Sequence, residues 1–326
     1  MLIDPPSSQQ ACAAVSSSLR EDLGGTASSH ERYVLVEVPL PWEHDAAASK
    51  HFPAGLAAWL KAQVPSDVKY RLLAFASDFD PPSAGRTRLI FYKKPAAPFS
   101  SYERLAYSVP TEQAGLVIAA YLGPDSLDAF DAFRMDREGA GLTEWFVCTH
   151  GSHDACCGKL GYQAFRDMYV QHATGSEGTL RVWRVSHIGG HRMAATAIEF
   201  PAGRYWGRLT PEAVRSIVKR EGDASAVAPH LRGWGGLGPQ EQLVDRELLA
   251  AHGWGWLERP RSGTTRVEAD GSFRVRLEVE AAAGKSPVAE VYEATVRQSH
   301  EVHIYGCEIA IPKAYPQYEV SSLQKL

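Results

Sequence analysis

Three of the five cysteines in this 326-residue chain, Cys148, Cys156 and Cys157, fall within ten residues, and two histidines, His187 and His191, follow downstream. The cysteines lie in CTHGSHDACCG (148–158) and the histidines in SHIGGHR (186–192). Eight residues separate Cys148 from Cys157, twenty-nine separate Cys157 from His187, and three separate His187 from His191. Thiolate and imidazole donors suit zinc, copper or an iron–sulfur cluster, and argue against magnesium or calcium. A single cysteine is more often core packing than a ligand, and His-x-x-x-His alone is common by chance. Two such pairs in successive loops point instead to a metal or cluster. Glycine breaks helices, so Gly189-Gly190 places the two histidines around a tight turn that lets backbone approach a bulky ligand. Adjacent side chains do not both point at one small centre, so one of Cys156 and Cys157 is a ligand and the other is not.

Five neighbours are candidates to support these ligands: His150, His153 and Asp154 in the cysteine loop, and Ser186 and Arg192 beside the histidine turn. A metal-bound histidine usually donates its remaining N–H to a carboxylate, carbonyl or water. Asp154 fits that role and also fits a cap on a helix starting near Cys156; the cap is the preferred reading. His150 and His153 read as loop residues shaping access. Trp183 and Trp206 read as core, and the tryptophans of GWGWLERP (253–260) as packing anchors.

The elements that must hold these loops follow from the apolar pattern. Residues 1–30 form an N-terminal segment with one short helix near Gln10–Asp22. Strands are predicted at 32–40, 68–76, 86–94 and 102–110, with helices at 55–64 and at 111–123, the last opening on a Thr111 cap. The same order returns as a strand (142–147), a helix (157–173), a strand (179–186), a hairpin (193–200 and 204–209) and a capped helix (210–221). Strand, helix, strand, strand, strand, helix is the order of a thioredoxin-like core. The expected fold is therefore α/β (α+β), with two thioredoxin-like halves in tandem, 31–124 and 142–222. Both ligand loops then follow strands, and both can emerge at one sheet edge, where crevices form. Residues 230–326 add a helix (238–253) and a β-rich extension: a hairpin over 264–280 with an Asp270-Gly271 turn, and strands at 287–298 and 301–310.

Composition excludes several classes. Thirty-four basic against 38 acidic residues leave a net charge of −4, without the basic footprint of a nucleic-acid binder. With 44% apolar and 22% charged residues, the chain is an ordinary globular one rather than disordered, collagen-like or coiled-coil. It has no run of about 18 apolar residues, so no membrane span is expected. MLIDPPSSQQACAA lacks the basic and apolar regions of a secretory signal, and an odd cysteine count with a local cluster suits a reducing compartment. The expected location is the cytoplasm.

CTHGSHDACCG together with VWRVSHIGGHRMAATAIEFPAGRYWGRL (182–209) resembles the sucrase/ferredoxin-like family. The likeness extends to ERYVLVEVPLPW (31–42) and RGWGGLGPQEQLVDREL (232–248), about the first 255 residues of the chain. The family pattern has a cysteine, eight residues, Cys-Gly, and later His-x-Gly-Gly-His. By position, the resemblance implies a [2Fe–2S] cluster on Cys148, Cys157, His187 and His191, with Cys157 rather than Cys156 as ligand. Two thiolates and two neutral imidazoles on a doubly positive core leave the site neutral, where four thiolates would leave it doubly negative. An electron is then accepted more easily; histidine ligation in Rieske centres moves the potential to about −150 to +300 mV, from about −400 mV in plant-type ferredoxins. Imidazole N–H groups that lose protons on oxidation would couple protons to the electron. The implied function is electron transfer with a redox partner protein, more a carrier than an enzyme with its own substrate. No paired-carboxylate constellation supports a glycosidase.

Two other classes compete. Cys2His2 also suits a tetrahedral structural Zn2+ in an interaction module. A thiol oxidoreductase using Cys156 or Cys157 is the weakest reading, because the Cys-x-x-Cys spacing of that chemistry is missing.

Overall fold

Strand β1 (Arg32–Glu37) is buried on both faces. Its side chains alternate: Tyr33 and Leu35 enter one cluster, while Val34 and Val36 enter another with Leu56 and Leu60 of helix α2 (Leu56–Gln63) and Val117 and Ile118 of helix α3 (Ala114–Leu122). An inner strand covered on both sides reads as the near-continuous apolar run seen in the sequence. The computed structural model describes residues 11–123, 125–135, 141–280, 289–305 and 312–326. Ahead of β1 stands helix α1 (Cys12–Ser18).

β1 pairs in parallel with β2 (Tyr70–Ala76) and antiparallel with β3 (Arg86–Lys93), which pairs antiparallel with β4 (Glu103–Pro110). The second group repeats this pairing. β5 (Thr143–Cys148) is parallel to β6 (Leu180–Val185) and antiparallel to β7 (Ala197–Phe200), which is antiparallel to β8 (Arg204–Trp206). The groups meet through antiparallel β2 and β6, at Phe75 opposite Val185 and Ala76 opposite Arg184. With β9 (Leu231–Trp234) they form one mixed sheet of nine strands, ordered β4-β3-β1-β2-β6-β5-β7-β8-β9. Buried Glu144 of β5 accepts from Tyr92 of β3 and Trp183 of β6 and pairs with Arg104 of β4 at 2.6 Å, so a charge network also spans the two groups.

Helix α4 (Tyr162–Met168) is extended by wide turns at Cys157–Gly161 and Tyr169–Ala173, matching the predicted helical span 157–173. Such π-type turns are rare and recur at functional sites. In α5 (Pro211–Lys219) the Thr210 hydroxyl accepts the Ala213 N–H, the expected cap. Thr111 does not cap α3: it belongs to a short 3₁₀ turn, and its hydroxyl accepts instead from Thr87 at 3.1 Å.

Beyond β9, α6 (Pro239–His252) packs beside a four-stranded antiparallel sheet, β10 (Arg261–Val267), β11 (Phe273–Val279), β12 (Glu290–Ile304) and β13 (Lys313–Lys325). The hairpin at Asp270-Gly271 is as expected. The two strands expected at 287–298 and 301–310 are instead one, β12, because a register shift against β13 between Gln298 and His300 absorbs the polar Gln298–Glu301 stretch without ending the pairing. Residues 306–310 and 287–288 of those expected strands lie outside the described residues. β13 was not anticipated; its Pro316 argues against an inner strand but is tolerated at this edge. No helix among the described residues is long and apolar enough to cross a membrane.

Candidate metal centre

Cys148 is the last residue of β5, and its N–H donates to Thr196 O at 2.9 Å. Cys157 opens the helical stretch that packs back on the same strand end, and His187 follows β6 by two residues. Parallel β5 and β6 end together, Cys148 opposite Val185, so both loops do leave the same sheet edge. The ligand atoms of Cys148, Cys157 and His187 lie within 4.8 Å of one another, with Cys157 Sγ 3.9 Å from His187 Nδ1. Gly161 makes this approach possible: a side-chain carbon there would overlap the Cys148 carbonyl oxygen.

His191 sits one turn further on. Gly189 and Gly190 both adopt positive φ, +84° and +77°, and swing the chain so that the His187 and His191 ring centres are 6.1 Å apart. Its Nδ1 faces Asp154 Oδ2 at 2.9 Å and Cys12 Sγ at 3.2 Å, and these three residues form a second group whose ligand atoms lie within 4.8 Å. The four residues singled out by spacing are thus brought together as three, with the fourth on the adjoining turn and 28% exposed. Cys156 points away from Cys148 and Cys157, into a small buried cluster with Cys12, Ala13 and Ala194.

The neighbours fall into place around these groups. Asp154 Oδ1 accepts the Cys156 N–H at 2.8 Å, the cap expected of it, while Oδ2 holds His191. His150 is buried; its Nδ1 accepts the His187 N–H at 3.1 Å and its Nε2 reaches Glu43 O at 2.7 Å. The His153 ring stacks on His187 with centres 4.0 Å apart. Ser186 binds the first strand group, its hydroxyl accepting the Ala74 N–H at 3.0 Å. Arg192 pairs with buried Glu21 at 2.7 Å and lies over the Tyr315 ring of β13.

Three contributors escaped sequence reasoning. Cys12 lies 144 residues before its contact Cys156, with no spacing signal to connect them. The loop after β1 supplies Trp42, Glu43 and His44, whose carbonyls meet Ser152, His150 and His153. Arg232 of β9 donates to Gly189 O at 3.0 Å, and Arg71 of β2 to His187 O at 2.7 Å, pinning both ends of the histidine turn.

The electrostatics favour a cation. The Cys157 S–H donates to Cys148; that bond lowers Cys148 well below its ordinary range despite burial, and the same bond together with burial pushes Cys157 up. Two buried thiols this close do not both ionise unless a positive charge joins them. Burial pulls His150 and His153 down, favouring neutral rings around the centre. The donor set therefore fits a soft or borderline metal.

A profile described as Sucrase/ferredoxin-like matches residues 23–233. The chain belongs to the sucrase/ferredoxin-like family. The match contains every strand of the nine-stranded sheet up to Gly233 in β9 and both ligand loops, but stops short of residue 255, to which the resemblance read from the sequence extends. The β10–β13 sheet lies outside it. "Altered inheritance of mitochondria protein 32" of Meyerozyma guilliermondii is 24% identical over 219 residues, covering 55% of this chain and 76% of that protein. No solved structure matches the chain.

Proposed function

We propose that this family member is a one-electron carrier whose [2Fe–2S] cluster is held by Cys148, Cys157, His187 and His191. The observation that carries this reading is the convergence of Cys148, Cys157 and His187 at one buried strand end, with His191 on the adjoining glycine turn. Such a cluster supplies reversible uptake of one electron, at a potential raised by its neutral histidines. The protein's own residues do the rest. β5 and β6 fix Cys148 and His187 on a rigid sheet edge, and the loop carrying Trp42 and His44 closes over His150 and His153, keeping water from the cysteines. Asp154 Oδ2 accepts a hydrogen bond from His191 Nδ1, which orients the ring.

The repeated strand pairing supports reading 31–124 and 142–222 as two thioredoxin-like halves, the first without a ligand set and acting as a shield. The partner is a redox protein meeting the partly exposed His191 side, and the compartment the cytoplasm. A structural Zn2+ is the second reading, favoured by the Cys12, Asp154 and His191 group, whose donors suit that ion.

Voltammetry from about pH 6 to 10 tests the carrier reading. A reversible wave is expected, its potential flat in acid and falling by about 59 mV per pH unit once reduction takes up a proton. A zinc protein gives no wave, and a wave with no slope removes the proton coupling.

A further inference from the structure

Cys12 and Cys156 are not needed to hold the proposed cluster, yet their sulfurs are 3.5 Å apart and both residues are buried. Cys12 comes from α1 and Cys156 from the turn after Asp154, so two distant segments meet sulfur to sulfur. Beside them runs a groove of about 720 Å³ between α1, α4 and α5, within the size range of small-molecule sites. Cys156 lines this groove and Cys12 does not; the groove is mostly apolar, with Lys159 and Arg208 as cations and Asp167 as an acid.

We propose that Cys12 and Cys156 are a dithiol/disulfide couple that exchanges with small disulfides of the glutathione class. The inference stands on this pair and groove and does not rest on the metal reading. The groove admits a ligand to Cys156, and its two cations suit the carboxylates of such a peptide. The Cys156 thiolate attacks one sulfur of the bound disulfide, forming a mixed disulfide; the original sulfur–sulfur bond breaks and one small thiolate leaves and is protonated. The Cys12 thiolate then attacks the Cys156 sulfur, forming the Cys12–Cys156 bond and releasing the second small thiol. Two protein thiols are oxidised and one small disulfide is reduced to two thiols. The sulfurs must close from 3.5 Å to about 2.0 Å, a side-chain movement. The bond ties α1 to the loop that carries Cys157.

The test treats the full-length purified protein with oxidised glutathione, alkylates the remaining thiols and maps the peptides by mass spectrometry. Expected is a Cys12–Cys156 bridge in the wild type, reversed by dithiothreitol. Cys12→Ser should stop at the first step, with one glutathionyl group on Cys156, and Cys12→Ala should do the same. Cys156→Ser should leave Cys12 unmodified. No bridge in the wild type, a bridge that maps to Cys148, Cys157 or Cys307 instead, or modification of Cys12 in Cys156→Ser would each overturn the proposal.

Discussion

Oδ2 of Asp154 lies 2.9 Å from Nδ1 of His191, while the other oxygen of the same carboxylate accepts the Cys156 N–H at 2.8 Å. One side chain thus starts the helix that positions Cys157 and orients a histidine from the next loop. Cap and orienter, which compete as readings of the sequence, are the two oxygens of one group.

Asp154→Asn keeps the size and one acceptor but removes the charge facing His191. Metal affinity should fall about 10- to 100-fold, the usual cost of losing such a partner. Asp154→Ala should add about 1 kcal/mol of lost stability, because the cap goes too. Chelator competition and urea denaturation read the two effects separately. Wild-type metal retention in the asparagine variant would show that the contact with His191 does not matter.

Gly161→Ala places a methyl group against the Cys148 carbonyl oxygen, so the turn after Cys157 must move off the end of β5. A loss of about 1–3 kcal/mol is expected, as for other overpacked sites, together with weaker metal retention. Gly175→Ala is the control, since nothing lies within 4 Å of that position. Equal stability and metal content in the two variants would contradict the close approach.

His30 stacks edge-on against Tyr33, and burial, helped by Arg71, pulls it from 6.5 down to about 4. The folded protein keeps the ring neutral where the unfolded chain protonates it. Its contribution is complete above about pH 6.5 and is lost as the pH falls toward 4. His30→Gln should therefore lose less stability than the wild type between pH 7 and 4.5, read from urea midpoints. An identical loss in both would show that His30 does not titrate this way.

The site was legible where its chemistry is local. Cys148, Cys157 and His187 end or follow strands whose apolar runs announce them, and the Gly189-Gly190 pair announces the turn. Cys12 carries no such signal, because a short N-terminal helix of mostly small residues reaches the site only through tertiary packing. The Trp42–His44 loop was hidden likewise: its backbone carbonyls make the contacts, and side-chain types do not encode them. In the tail, Gln298–Glu301 reads as a break because the part of β12 beyond Val296 pairs with β13 alone and is bulged, which lets it carry polar residues, and Pro316 masks β13 because an edge strand tolerates proline.

The central claim is that Cys148, Cys157, His187 and His191 hold a [2Fe–2S] cluster. It is tested most directly by the visible spectrum and the iron and sulfide content of anaerobically purified protein. A reddish-brown protein with about two irons and two sulfides per chain is expected, with the colour lost in Cys157→Ser and retained in Cys156→Ser. A colourless protein containing zinc, or one bleached by Cys156→Ser and untouched by Cys157→Ser, would contradict it.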